Sequence, residues 1–175
     1  MRLSFAIFTA FAASVFAAPL AARTGADLAK RQSAFSQKTY DEISISGGVA
    51  GNAEQEALNA LSGLDLNNLA SATQDDIAFL NSVNKICNEA EKNAFNVAID
   101  SASGEEAAAL QRGKIKNKVL KLEATIMRLM IEQAQGKDVA DKIDAESKKL
   151  NNNIQQDTEE AGKPSTFLSF DASTS

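Results

Sequence analysis

The chain contains no histidine and no tryptophan, a single cysteine and a single tyrosine. Each shortage closes off some chemistry. Without histidine there is no Ser-His-Asp or Cys-His catalysis, and the commonest metal ligand is missing. Sugar-binding surfaces usually need aromatic platforms, so the lack of Trp and the lone Tyr40 disfavour a lectin-like role. One cysteine, Cys87, cannot close an intrachain bridge. The chain therefore stands outside the cysteine-rich class of small exported toxins and effectors, and its stability must come from packing. Cys87 falls on a helical pattern, Val83-Asn84-Lys85-Ile86-Cys87, and is expected to act as a small buried hydrophobe rather than a reactive thiol. There is no Asn-x-Ser/Thr sequon.

What is present begins with Arg2 and an apolar stretch from Leu3 to Ala17. At 15 residues the stretch is shorter than the roughly 20 that a membrane-spanning helix requires. Val15-Phe16-Ala17 obeys the small-residue rule, so a signal peptide is expected with cleavage after Ala17. Ala18 to Arg31 is small, polar and Ala-rich and ends in Lys30-Arg31, the mark of a propeptide cut by a kexin-type protease. The cut would expose Gln32, which can cyclise to pyroglutamate. The expected organisation is a signal peptide over 1–17, a propeptide over 18–31 and one domain over 32–175. Of 18 basic and 23 acidic residues, four and one precede Gln32, which leaves 14 against 22 and a net charge of −8. That charge repels nucleic acid and anionic lipid at long range. No nucleic-acid partner, membrane span, metal or cofactor is expected.

Residues 32–42 are polar and expected to be mobile. Ile43-Ser44-Ile45-Ser46 alternates too briefly for a sheet. Gly47-Gly48-Val49-Ala50-Gly51 leads into a helical pattern with Ala53, Ala57, Ala60 and Leu61 on one side, broken by Gly63 and Asp65. Leu64, Leu66 and Leu69 suggest a short turn against the core. Thr73-Gln74-Asp75-Asp76 is a helix start, with the Thr73 oxygen over the Asp76 amide. The helix is expected to reach Ala102 with Phe79, Val83, Ile86, Ala90, Ala94 and Val97 facing the core. Ser103-Gly104-Glu105-Glu106 has the form of a capping box. The following helix carries two seams, Ile115-Val119-Leu122-Ile126-Leu129 and Leu120-Ala124-Met127-Ile131-Ala134. At about 100° per residue they lie roughly 140° apart, so this helix should touch neighbours on two sides and be central. A last helix near Asp138 has a single stripe, Val139, Ile143, Leu150 and Ile154, and is stopped by Gly162 and Pro164. Phe167, Leu168 and Phe170 in the Ser/Thr-rich tail can dock. The pattern predicts an all-α fold, an antiparallel bundle of four to five amphipathic helices.

Few motifs carry chemistry. The Gly-rich stretch 47–51 lacks both GxGxxG spacing and a Gly-Lys-Ser/Thr ending, so a flexible helix entry fits better than a phosphate loop. Asp75-Asp76 and Glu105-Glu106 lie in first helical turns, where acids serve the helix dipole. Arg112, Lys114, Lys116, Lys118 and Lys121 follow one another with no acid between them. Lys114, Lys118, Lys121 and Arg128 share one helix face. This stripe is either a dock for an anionic partner or the solvated face of a two-seam helix, and charge runs most often solubilise.

Three segments, Ile43–Glu54, Leu64–Leu69 and Gly113–Leu122, together with the Lys30-Arg31 site, resemble the small secreted proteins of filamentous ascomycete fungi. The resemblance covers most of residues 32–175. It implies secretion by a fungus and supplies no catalytic residues. A likeness to the fungal hydrophobic surface-binding proteins, also exported, acidic and helical, is one of architecture only. The expectation is a secreted, non-enzymatic interaction protein at the cell wall or the host interface, whose partner is a cell-wall polymer or host protein. Two alternatives are a carrier holding a small apolar ligand or lipid inside the bundle and a carboxylate-based hydrolase.

Overall fold

A computed structural model describes residues 32–174. Ala17, Lys30 and Arg31, the expected processing residues, lie outside the described residues. The order of elements is α1 (Tyr40–Ile43), α2 (Ala53–Ala60), a 3-10 turn (Leu69–Ser71), α3 (Gln74–Ala90), a π-helical turn (Glu91–Phe95), α4 (Asn96–Ser101), α5 (Gly104–Ala134) and α6 (Ala140–Glu159). Two isolated β-bridges, Thr39 to Ser173 and Val49 to Pro164, tie loops together. The fold is an all-α bundle, and no described helix is long and apolar enough to cross a membrane.

α5 is the centre. It packs against α2, α3, α4 and α6. Ile115, Val119, Leu122, Ile126 and Leu129 are buried, and so are Leu120, Ala124, Met127 and Ile131. Of the expected seam residues only Ala134, at the helix end, is exposed. Between the seams Arg112, Gly113, Lys116, Asn117, Glu123 and Thr125 are buried too. α5 is thus enclosed on more sides than two apolar seams provide. Gly113 shows how closely. A Cβ at this position would collide with the Thr166 carbonyl oxygen and lie 3.0 Å from the Phe95 ring.

α3, the π turn and α4 form one run from Gln74 to Ser101. Thr73 and Asp76 form the expected cap as a reciprocal box. The run departs from expectation after Ala90. A π turn holds one residue more than an α turn, so the positions beyond it are rotated out of the earlier phase. Phe95 becomes fully buried, while Val97, expected in the core, is 60% exposed. The capping box at Ser103 also fails to form: Ser103 is the N-cap residue but makes no side-chain bond to the first turn. Gly104, at φ +59°, leaves helical geometry between the cap and the first turn, so Ser103 does not reach the Glu106 amide; the neighbouring Glu105 pairs with Arg112.

Residues 32–42, expected to be mobile, make specific contacts. Ser33 Oγ and the Ala34 amide donate to Asp76 Oδ1 at 2.8 and 2.7 Å. The Phe35 ring stacks on Phe79 at 4.3 Å. Thr39 and Glu42 form a capping box that starts α1, and Tyr40 is fully buried. These polar residues anchor the segment through side-chain bonds rather than through an apolar stripe. The tail docks beside them, with Phe170 edge-on to Tyr40 at 5.9 Å and Leu168 against the core. Leu66, expected near the core, is exposed, while Leu64 and Leu69 pack against it.

Candidate functional site

The basic run of α5 divides into two groups with different roles. Arg112 and Lys116 point inward. Arg112 is 3% exposed; its Nε donates to the Pro164 carbonyl at 2.5 Å and its guanidinium pairs with Glu160 at 3.1 Å and with Glu105. Bonds from Lys163 and Arg112 hold the Glu160 carboxyl below its ordinary pKa. Lys116 is fully buried. Its Nζ donates to the Gly47 and Val49 carbonyls at 2.7 and 3.0 Å and pairs with Glu56 at 2.8 Å. These two residues brace loops against the bundle and are not part of a docking surface.

The Gly-rich stretch is accordingly not a flexible entry. Ala50 donates to Lys163 O and Ser165 to Gly48 O, and the Gly51 and Ala53 amides both donate to Asp157 Oδ2 at 2.9 Å. Two of its carbonyls converge on a lysine and one of its amides on an aspartate, the reverse of a nest that cradles phosphate.

Lys114, Lys118, Lys121 and Arg128 share the outward face of α5, and all four are half-buried. Lys121 pairs with Glu91 at 2.6 Å and Arg128 with Glu132 at 2.7 Å. Lys114 and Lys118 have no ion pair among the described residues. Lys118, Lys121 and Leu122 form one wall of a cleft of about 320 Å³. Asn84 of α3 contributes to it, and α6 closes it with Glu146, Lys149, Asn152 and Asn153. Lys149 pairs with Glu146 at 2.8 Å. The structure thus brings Lys118 and Lys121 together at one cleft and leaves Lys114 and Arg128 outside its lining. Two further clefts, of about 520 Å³ beside Gly47 and Phe167 and about 290 Å³ beside Phe35 and Asp75, also open to the surface.

The acids have structural employment at Asp76. Burial raises its pKa, but bonds from Thr73, Ser33 and Ala34 outweigh this and leave the carboxyl below its ordinary range. Glu123 behaves differently. Burial pushes its carboxyl up to about 7, and the charge of Glu54 on α2 adds to the rise. Neither residue lines any of the three clefts. No group of three or more acidic or cysteine side chains placed to hold a metal ion occurs among the described residues.

Cys87 is free and fully buried, and burial pushes its thiol up to about 12. Beside it runs a polar chain: the Tyr40 hydroxyl donates to Asn117 Oδ1, and Asn117 Nδ2 donates to the Cys87 carbonyl, each at 2.9 Å. Sequence reasoning passed over Asn117, Asn153 and Asp157 because polar residues on a helix are expected to face water. The available signal was Gly113, a glycine inside a long helix, which marks close approach of another backbone.

These features define an all-α bundle wound around one buried, polar-studded helix. The chain belongs to a family described as Domain of unknown function (DUF8454), matched over residues 35–169. Neither the curated proteins nor the solved structures gave a match.

Proposed function

We propose that this is an exported, non-enzymatic interaction protein of a fungus that engages an acidic extracellular partner through the outward face of α5. The leader and Lys30-Arg31 support export. One observation carries the choice of face: Lys118, a cation with no ion pair among the described residues, borders an open cleft in a domain whose net charge is −8. Other lysines of the described residues also lack an ion pair, but Lys118 is the one among them that lines one of the three clefts, where an anion can be held. The partner is a cell-wall polymer or a host protein.

Co-sedimentation with insoluble polygalacturonate and with cellulose tests this reading. The protein should pellet with the acidic polymer only, and less so as salt rises. Reversing Lys114 and Lys118 to Glu should abolish pelleting with melting unchanged. Retention by both polymers, or binding that survives the reversals, would remove the reading.

A carboxylate-based hydrolase is the second reading, and Glu123 is what favours it. A carboxyl with a pKa of about 7 is about half protonated at neutrality, as suits a general acid, and Glu54 is the second carboxylate, although neither lines one of the three clefts. Loss of polysaccharide hydrolysis in Glu123→Gln would favour this reading over the first. Absence of hydrolysis in the wild-type protein would dispose of it.

A further inference from the structure

The cleft between α3, α5 and α6 holds one polar group that the fold leaves unsatisfied. Asn153 is 4% exposed and lines the cleft. Its Nδ2 donates to the Lys149 carbonyl at 2.7 Å, which fixes the orientation of the amide. Its Oδ1 is buried and has no hydrogen-bond partner. Buried acceptors are nearly always paired, because an unpaired one forfeits its bonds to water. The oxygen is closed to solvent, so a donor from the cleft reaches it only when the Asn153 side chain shifts.

The charges in the cleft are unequal. Lys118, Lys121 and Lys149 supply three positive charges. Glu91 neutralises Lys121 at 2.6 Å and Glu146 neutralises Lys149 at 2.8 Å. One positive charge remains, on Lys118. A complementary ligand therefore carries one negative charge and at least one hydroxyl to satisfy Asn153. The volume, about 320 Å³, lies at the small end of the roughly 300–1,000 Å³ of ligand clefts and suits one monosaccharide unit. The cleft offers no aromatic ring on which a neutral sugar could stack, so recognition falls to charge and amide.

We propose that this cleft binds a sugar acid, with the carboxylate on Lys118 and a ring hydroxyl donating to Asn153 Oδ1. The inference rests on the acidic-partner reading above and names the unit recognised.

Calorimetric titration of the secreted protein with galacturonate, glucuronate, glucose and glucose 6-phosphate tests it. The uronates should bind with a dissociation constant of about 0.1–1 mM, as suits a ligand with few contacts. Glucose should not bind. Lys118→Gln should weaken uronate binding about tenfold or more, the loss of a charge-assisted hydrogen bond. Asn153→Leu should also weaken it while melting stays unchanged or rises, because a role confined to the fold would not leave melting intact. Lys137→Gln, an exposed cation outside the cleft and off the outward face of α5, should have no effect. No heat from either uronate, equal binding of glucose, or tighter binding of the dianionic phosphate would overturn the proposal. If the protein pellets with polygalacturonate yet takes up no uronate, the cleft assignment fails and the broader reading survives. If it does neither, both fail.

Discussion

Lys116 is the residue whose setting is least expected from its type. A lysine is rarely fully buried, and here it spends its donors on two loop carbonyls and Glu56. Breaking a buried ion pair by removing one partner costs about 3–5 kcal/mol when the other charge stays buried. Glu56 keeps access to water, so Lys116→Ala should cost about 3 kcal/mol, the lower end of that range, in chemical denaturation. Glu123 shows the same low-dielectric environment through pH. At low pH its carboxyl is neutral in the folded and unfolded chains alike and costs nothing. Between its ordinary value of 4.5 and about 7 the unfolded chain ionises while the folded one stays protonated, so stability falls as pH rises. Above that window the loss is complete, on the order of 3 kcal/mol. Glu123→Gln should therefore raise the thermal midpoint at about pH 8 and leave it unchanged at about pH 4. An equal effect at both would mean the carboxyl does not titrate in this window. Neither setting was legible in the sequence. A lysine inside a run of cations, and a glutamate on a long charged helix, have the same local pattern whether they face water or a neighbour.

At the scale of the element, the helix starts and the seams of α5 followed from spacing alone. Thr73-Asp76 caps α3, and the apolar positions stepping by 3 and 4 along α5 are the buried ones. Spacing failed where the backbone departs from 3.6 residues per turn. The π turn at Glu91–Phe95 leaves no local signature, and a periodic reading carried through it assigns Val97 inward and overlooks Phe95. Phe95→Ala should then cost about 3–5 kcal/mol, the range for a large core aromatic. Val97→Ala should lie within about 0.5 kcal/mol of wild type, as exposed substitutions do. Equal losses in urea denaturation would indicate an unbroken α-helix. The Ser103 capping box failed for a similar reason: the Ser-x-x-Glu pattern is present, but Gly104 takes a positive φ between cap and turn.

For the molecule as a whole, the two ends of the described chain are held together. Thr174 donates from its amide to Lys38 O at 2.8 Å, and the Lys38 amide donates to Thr174 Oγ1 at the same distance. Ser33 and Ala34 are already bonded to Asp76, so ordered contacts begin directly behind Lys30-Arg31. Intact mass of protein from culture medium should match Gln32–Ser175, less ammonia if Gln32 cyclises. A chain beginning at Ala18 would show that the dibasic pair is not used. Composition made the class legible: one cysteine and no histidine left packing as the source of stability. It did not disclose the cleft, because Asn84, Lys118 and Asn153 come from three helices and meet only once those helices pack.

The buried cations of α5 brace the fold, while Lys118 and its cleft are proposed to meet the partner. Hydrogen exchange of the chain from Gln32 to Ser175, with and without polygalacturonate, separates the two roles. Backbone amides exchange according to local opening, so a ligand seated between α5 and α6 slows exchange where it holds the two helices together. Added protection is expected in the peptides around Lys118–Leu122 and Glu146–Asn153, with residues 47–51 unchanged. Protection centred on the Gly47–Gly51 loop, or none at all, would contradict it.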